Sequence, residues 1–147
     1  MSKIIILAGG YSNEREISFI TAKSVFNELK KDKKYNILLA EPDGNFVKKL
    51  RKFKPDLVLN LLHGRYGEDG YIQSVLESER VKYTHSGVLS SSLAIDKELS
   101  KKIFKKNNIL TPPYIKFFFK KNLNLKNITY KIEKKLKFPV VLKPLNQ

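Results

Sequence analysis

The amino-acid sequence predicts an α/β fold, with a parallel sheet covered on both faces. Three observations point to it. "KIIILA", from Lys3 to Ala8, is the short unbroken apolar run expected of a strand buried on both sides. Apolar residues then return at helical spacing, and the strand-then-helix alternation continues as far as "VKYT". Two loops of unusual composition, "GGYSNEREIS" and "HGRYGEDG", stand where strands run out, which is where open parallel sheets bind ligands.

Each element follows from pattern. Lys3 to Ala8 is the first strand, and Ile17, Ile20, Ala22, Val25, Phe26 and Leu29 mark an amphipathic helix after it. Asn36 to Ala40 is a second strand, and Val47 to Phe53 a short helix. Pro55 and Asp56 introduce a third strand, "LVLNLL", which ends at His63-Gly64. A helix from Tyr71 to Glu79 and a fourth strand, "VKYT", complete a first domain, residues 1–86.

Residues 87–147 read as the start of a second domain. One helix, Val88 to Asn107, carries Leu89, Leu93, Ile95, Leu99 and Ile103 on a broad apolar face, and the helix-hostile "NNILTPP" stops it. "YIKFFF" is expected as a strand, "KNLNLKNITYKIEKKLK" holds a basic helix, and "FPVVLKP" begins another strand. A strand of buried-type residues lying so close to Gln147 suggests the front part of a longer protein.

Composition narrows the function. With no cysteine there is neither a disulfide framework nor a thiolate metal site. No apolar run approaches the roughly 20 residues of a membrane-spanning helix, and Ile4 to Ala8 is too short for a signal-peptide core. A soluble cytoplasmic protein is expected. The net charge of +15 invites a nucleic-acid reading. Only four basic residues are arginines, however, and 25 are lysines spread through every element. Base recognition favours arginine, so nucleic acid is not expected as a partner.

The loops carry the chemistry. "GGYSNEREIS" lacks the spacing of a dinucleotide site or a P-loop, so its glycines say only that the backbone must bend or approach something closely. Its ligand is open between a phosphate and a cation facing Glu14. Asn13 and Glu16 also have the spacing of a capping pair for the next helix. In "HGRYGEDG", one histidine and two carboxylates make a poor zinc set, and Asp69 is placed to cap the following helix. His63, directly after a buried strand, is placed for polarising or proton chemistry. The serine-rich "YTHSGVLSSSLAIDK" leads into a helix bearing Lys97, where a lysine is ordinarily just solvated.

Taken together and in order, "GGYSNEREIS", "LNLLHGRYGEDGYIQ", "YTHSGVLSSSLAIDKELSK" and "FPVVLKP" resemble the amino-terminal half of the D-alanine–D-alanine ligase family. The resemblance implies a Rossmann-like (pre-ATP-grasp) domain followed by an incomplete ATP-grasp central domain. It implies ATP and magnesium as cofactors, D-alanine as substrate, a homodimer, and a role in peptidoglycan synthesis. By motif, Glu14 matches the acid that pairs with the ammonium of the first D-alanine, and His63 the imidazole near the reacting carboxylate. Lys97 and Lys143 match two lysines that contact ATP phosphates. Glu16, Ser18, Glu68 and Asp69 are expected to hold the loops in shape. The magnesium ligands and the glycine-rich phosphate loop belong to other parts of the family's chain, so these 147 residues alone are expected to be inert. Two alternatives stand beside this: a related ligase using D-lactate or D-serine as second substrate, and a non-catalytic dimerisation remnant.

Overall fold

The computed structural model describes residues 1–118 and 124–146. They divide into two units, Met1–Ile95 and Asp96–Gln147, whereas the sequence places a boundary near Ser86.

The first unit is built around strand β1 (Ser2–Leu7), flanked by β2 (Tyr35–Ala40) and β3 (Leu57–Asn60). Both neighbours run parallel to it, in the order β2-β1-β3. Leu7 pairs with Ala40 on one side and Asn60 on the other, so the three strands reach their carboxyl ends at one level. Successive side chains of a strand face opposite ways, which sorts the core into two layers. Ile4 and Ile6 pack with Ala8, Ala22 and the partly buried Phe19, Val25, Phe26 and Leu29 of α1 (Arg15–Leu29). Ile5 and Leu7 pack on the other face with Phe46 and Leu50 of α2 (Phe46–Phe53) and with Ile72 and Leu76 of α3 (Tyr71–Ser78). Burial on both faces is the reason "IIIL" has no polar alternation.

Several elements depart from expectation. Ile17 and Ile20 are 54% and 63% exposed, because Ser18 and Ala22 turn the buried stripe of α1 towards the sheet. "VKYT" forms a single parallel bridge, Val58 to Tyr83, rather than a strand. The Val58 amide donates to the Lys82 carbonyl at 2.8 Å and the Thr84 amide to the Val58 carbonyl at 3.0 Å. The chain then leaves the sheet at His85, whose φ of 90° no strand sustains.

The long helix expected after Val88 is two helices, α4 (Val88–Ala94) and α5 (Lys97–Lys106). Asp96 separates them, in extended backbone, and its carboxylate accepts the Leu99 amide at 2.9 Å to cap the second. Leu89, placed on the expected apolar face, is 73% exposed. In the second unit the basic helix is present as α6 (Leu125–Lys135), with Asn124 capping it through the Asn127 amide. Tyr114 to Phe118 and Phe138 to Pro144 form no strand, since neither stretch has a partner strand among the described residues to take its backbone groups. Phe119 of the first stretch and residues 121–123 of the basic segment lie outside the described residues.

Ile5 is fully buried at the centre of the middle strand. Ile5→Ala should lower the unfolding free energy by about 2–5 kcal/mol in a urea titration, since few neighbours there can move to fill the space.

Candidate functional site at the carboxyl end of the sheet

With the strand order β2-β1-β3, the chain leaves β1 for one side of the sheet and returns on the other. The crevice between the carboxyl ends of β1 and β3 is thus a topological switch point, where ligands of such sheets bind. Both unusual loops border it.

The first loop enters α1 through Ser12 and Glu14. Ser12 accepts the Glu14 amide on its hydroxyl at 3.1 Å and the Arg15 amide on its carbonyl at 3.2 Å. Glu14 is the cap residue, and no side-chain cap bond forms, so the Asn13–Glu16 capping pair is not made. The exposed Glu14 carboxylate therefore has no structural duty among the described residues. It lies against the second loop: a β-carbon placed on Gly64 would be 3.2 Å from Glu14 Oε2 and 3.4 Å from Ser12 Cβ. With φ of 66° and this close approach, position 64 suits glycine.

His63 sits beside that contact. Its Nε2 is 3.4 Å from the Thr21 hydroxyl of α1 and its Nδ1 is 3.9 Å from Glu68 Oε1. Glu68 Oε2 accepts the Gly64 amide at 2.9 Å, so one carboxylate both shapes the turn and faces the imidazole. Asp69 accepts the Tyr71 amide at 3.1 Å, one residue outside the glycine that caps α3.

Beneath the loops lies a polar layer with little signal in sequence. Ser18, fully buried, accepts the Gly9 amide at 2.9 Å and donates to the Leu61 carbonyl at 2.6 Å. Asn60 and Gln73, also fully buried, both donate to the Gly67 carbonyl, at 2.9 and 2.8 Å. Asn60 also donates to His85 Nδ1 at 3.1 Å and accepts the Leu62 amide at 3.2 Å. The sequence marks Asn60 and Gln73 only faintly, as an amide side chain inside the apolar run "LVLNLL" and another on the first turn of a helix.

Lys97 and Lys143 belong to the second unit. The Lys97 amide donates to the Leu145 carbonyl at 3.1 Å, so the start of α5 adjoins the "KPLN" segment and the two lysines come from neighbouring stretches of chain. Next to Lys97, Glu98 accepts from Lys116 and from Lys102, and these bonds hold its carboxyl below the usual glutamate range.

No family model matches the chain. Curated proteins do. It is 59% identical over 145 residues to the D-alanine–D-alanine ligase of Pelagibacter ubique, covering 99% of this chain and 47% of that protein. It is 47% identical over 141 residues to the ligase of the same name from Carboxydothermus hydrogenoformans, covering 96% and 45%. The chain is homologous to the D-alanine–D-alanine ligases. In three dimensions it matches the crystal structure of the Bacillus anthracis D-alanine–D-alanine ligase complexed with ATP. The TM-score is 0.76 at 34% identity, over 99% of this chain and 48% of that one. The chain thus spans about half the length of the ligases it matches.

Two outcomes follow from the geometry. Ser18→Ala would strand the buried Gly9 amide and Leu61 carbonyl, so it should cost about 1–3 kcal/mol in denaturant titration and speed hydrogen exchange at Gly9. The Glu98 carboxyl, depressed in the folded chain, contributes stability above its unfolded pKa that is lost as pH falls through the folded value. Lys116→Gln should therefore move its NMR titration upward, with Lys102 still holding part of the depression.

Proposed function

We propose that this chain forms the first-substrate side of a D-alanine–D-alanine ligase. In that reaction ATP phosphorylates the carboxylate of one D-alanine, and the amine of a second attacks the acylphosphate and displaces phosphate. Glu14 pairs with the ammonium of the first D-alanine. His63 donates towards the reacting carboxylate, where negative charge builds up as the acylphosphate forms and breaks. Lys97 and Lys143 contact the phosphates of ATP.

The single observation that supports this reading most is the Glu14 carboxylate. It is exposed, unengaged among the described residues, and set against Gly64 beside His63 at the switch point. A cation is the ligand such a carboxylate takes, and His63, the residue before Gly64 on the facing loop, suits a molecule with ammonium and carboxylate on one carbon. The ATP assignment rests on homology to ligases, one of them solved with ATP, and on the adjoining segments of Lys97 and Lys143.

Magnesium, which the family's reaction implies, does not fit the residues present. Among the described residues no group of three or more His, Asp or Glu converges, and no step is assigned to the metal. With under half of the ligase relatives' length, the chain alone is read as catalytically inert, and the protein it represents as a cytoplasmic homodimer acting on D-alanine and ATP.

Phosphate release from ATP should stay at background when the 147-residue chain is mixed with D-alanine. Binding is the sharper test. D-Alanine titrated into the ¹⁵N-labelled chain should shift the Gly64 amide saturably. Glu14→Gln should weaken that binding at least about ten-fold, the effect of losing a charge-assisted bond of about 1.5–3 kcal/mol. An unchanged affinity in this variant would sink the ammonium assignment.

A further inference from the structure

We infer that Arg15 and Glu41 are positioning residues, an ion pair that holds the Glu14 carboxylate at the crevice and thereby sets the affinity for an ammonium-bearing substrate. The inference rests on reading Glu14 as the ammonium group's partner.

Arg15 is the first residue of α1, next to Glu14, and Glu41 follows the last residue of β2. One guanidinium nitrogen of Arg15 donates to both carboxylate oxygens of Glu41, at 2.7 and 3.0 Å. Glu14, by contrast, approaches the loop after β3. The first turn of α1 is therefore tied to the strand on one side of β1 while it presents its carboxylate on the other. Rotation of that turn about the helix axis would move both contacts together.

Two further features fit the pair to this duty. The Arg15 guanidinium lies over the Phe19 ring, 4.7 Å from its centroid, and Phe19 packs against the core beside the sheet. The pair and the ring also cross the backbone of Gly9 closely. A β-carbon there would be 2.5 Å from Glu41 Oε2 and 2.7 Å from the Phe19 ring, so the absence of a side chain at position 9 is what lets the stack form. The glycine that opened the question of a bound phosphate thus has an internal occupant.

An open cavity of about 410 Å³ beside Tyr11, Pro42 and Asp43 leaves Arg15 room to swing away once Glu41 is neutralised. Loss of either charge should thus relax the loop without disturbing the core.

The test uses the same titration of D-alanine against the Gly64 amide. Glu41→Gln and Arg15→Gln should each weaken binding about two- to five-fold, the scale of a partly exposed ion pair. The double variant should be no weaker than either single one, since the two groups act as one unit. Exchange of the charges in Arg15→Glu/Glu41→Arg should recover affinity, a rescue that general loosening of the fold does not produce. Melting temperatures of all variants should stay close to that of the parent chain. If Glu14→Gln weakens binding while Glu41→Gln binds like the parent, or if the single losses add in the double variant, the inference is overturned and the reading of Glu14 stands. If Glu14→Gln has no effect, or the parent chain shows no saturable shift, both fall.

Discussion

The hydroxyl of Ser18 accepts the amide of Gly9 and donates to the carbonyl of Leu61, with no access to solvent. Those two groups belong to the segments leaving β1 and β3, and Ser18 itself belongs to α1. One side chain thus fixes the relative height of three pieces of chain at the end of the sheet. In a buried position each bond also removes a penalty, because an amide or carbonyl without a partner there is costly. The approach of Glu14 to Gly64, and with it the placing of His63, depends on these three pieces keeping their spacing.

A second polar tier repeats the device under the other loop. Asn60 and Gln73 both grip the Gly67 carbonyl, which anchors the middle of "HGRYGEDG" from below. Its upper edge is shaped by Glu68 through the Gly64 amide. The loop backbone at this end of the sheet is therefore held largely by side chains from regular elements. Charge is arranged in the same spirit. Asp96–Gln147 contains 14 lysines and three acidic residues, whereas Glu14, Glu41, Asp43, Glu68 and Asp69 gather in the loops of the first unit, with Glu16 on the first turn of α1. The strongly basic composition conceals an acidic end of the sheet.

How much of this was legible can be judged from particular residues. The three parallel strands and helices α1 to α3 are legible, because burial on both faces leaves an unbroken apolar run and burial on one leaves a stripe. The stripe of α1 departs from its apolar pattern at Ile17 and Ile20, since a buried serine does not register as core. The break after Val88 is hidden because the apolar spacing runs on through Asp96, and a capping carboxylate looks like any surface acid until its backbone turns extended. The expected strands at "YIKFFF" and "FPVVLKP" show the limit of local pattern: a strand is completed by a neighbour, and apolar residues cannot announce whether one is there.

The sequence by itself determined the α/β order, the layers of the first core, and which loops carry unusual chemistry, because hydrophobic period and loop composition are local properties. It also carried the ligase motifs, which need only order and spacing. Tertiary structure alone decided that Glu14 meets Gly64, that Arg15 turns to Glu41, and that Ser18, Asn60 and Gln73 are buried joints. Those facts depend on which strand lies beside which, and the order β2-β1-β3 brings together residues some 50 positions apart, such as Glu14 and Gly64, through contacts that no stretch of sequence contains.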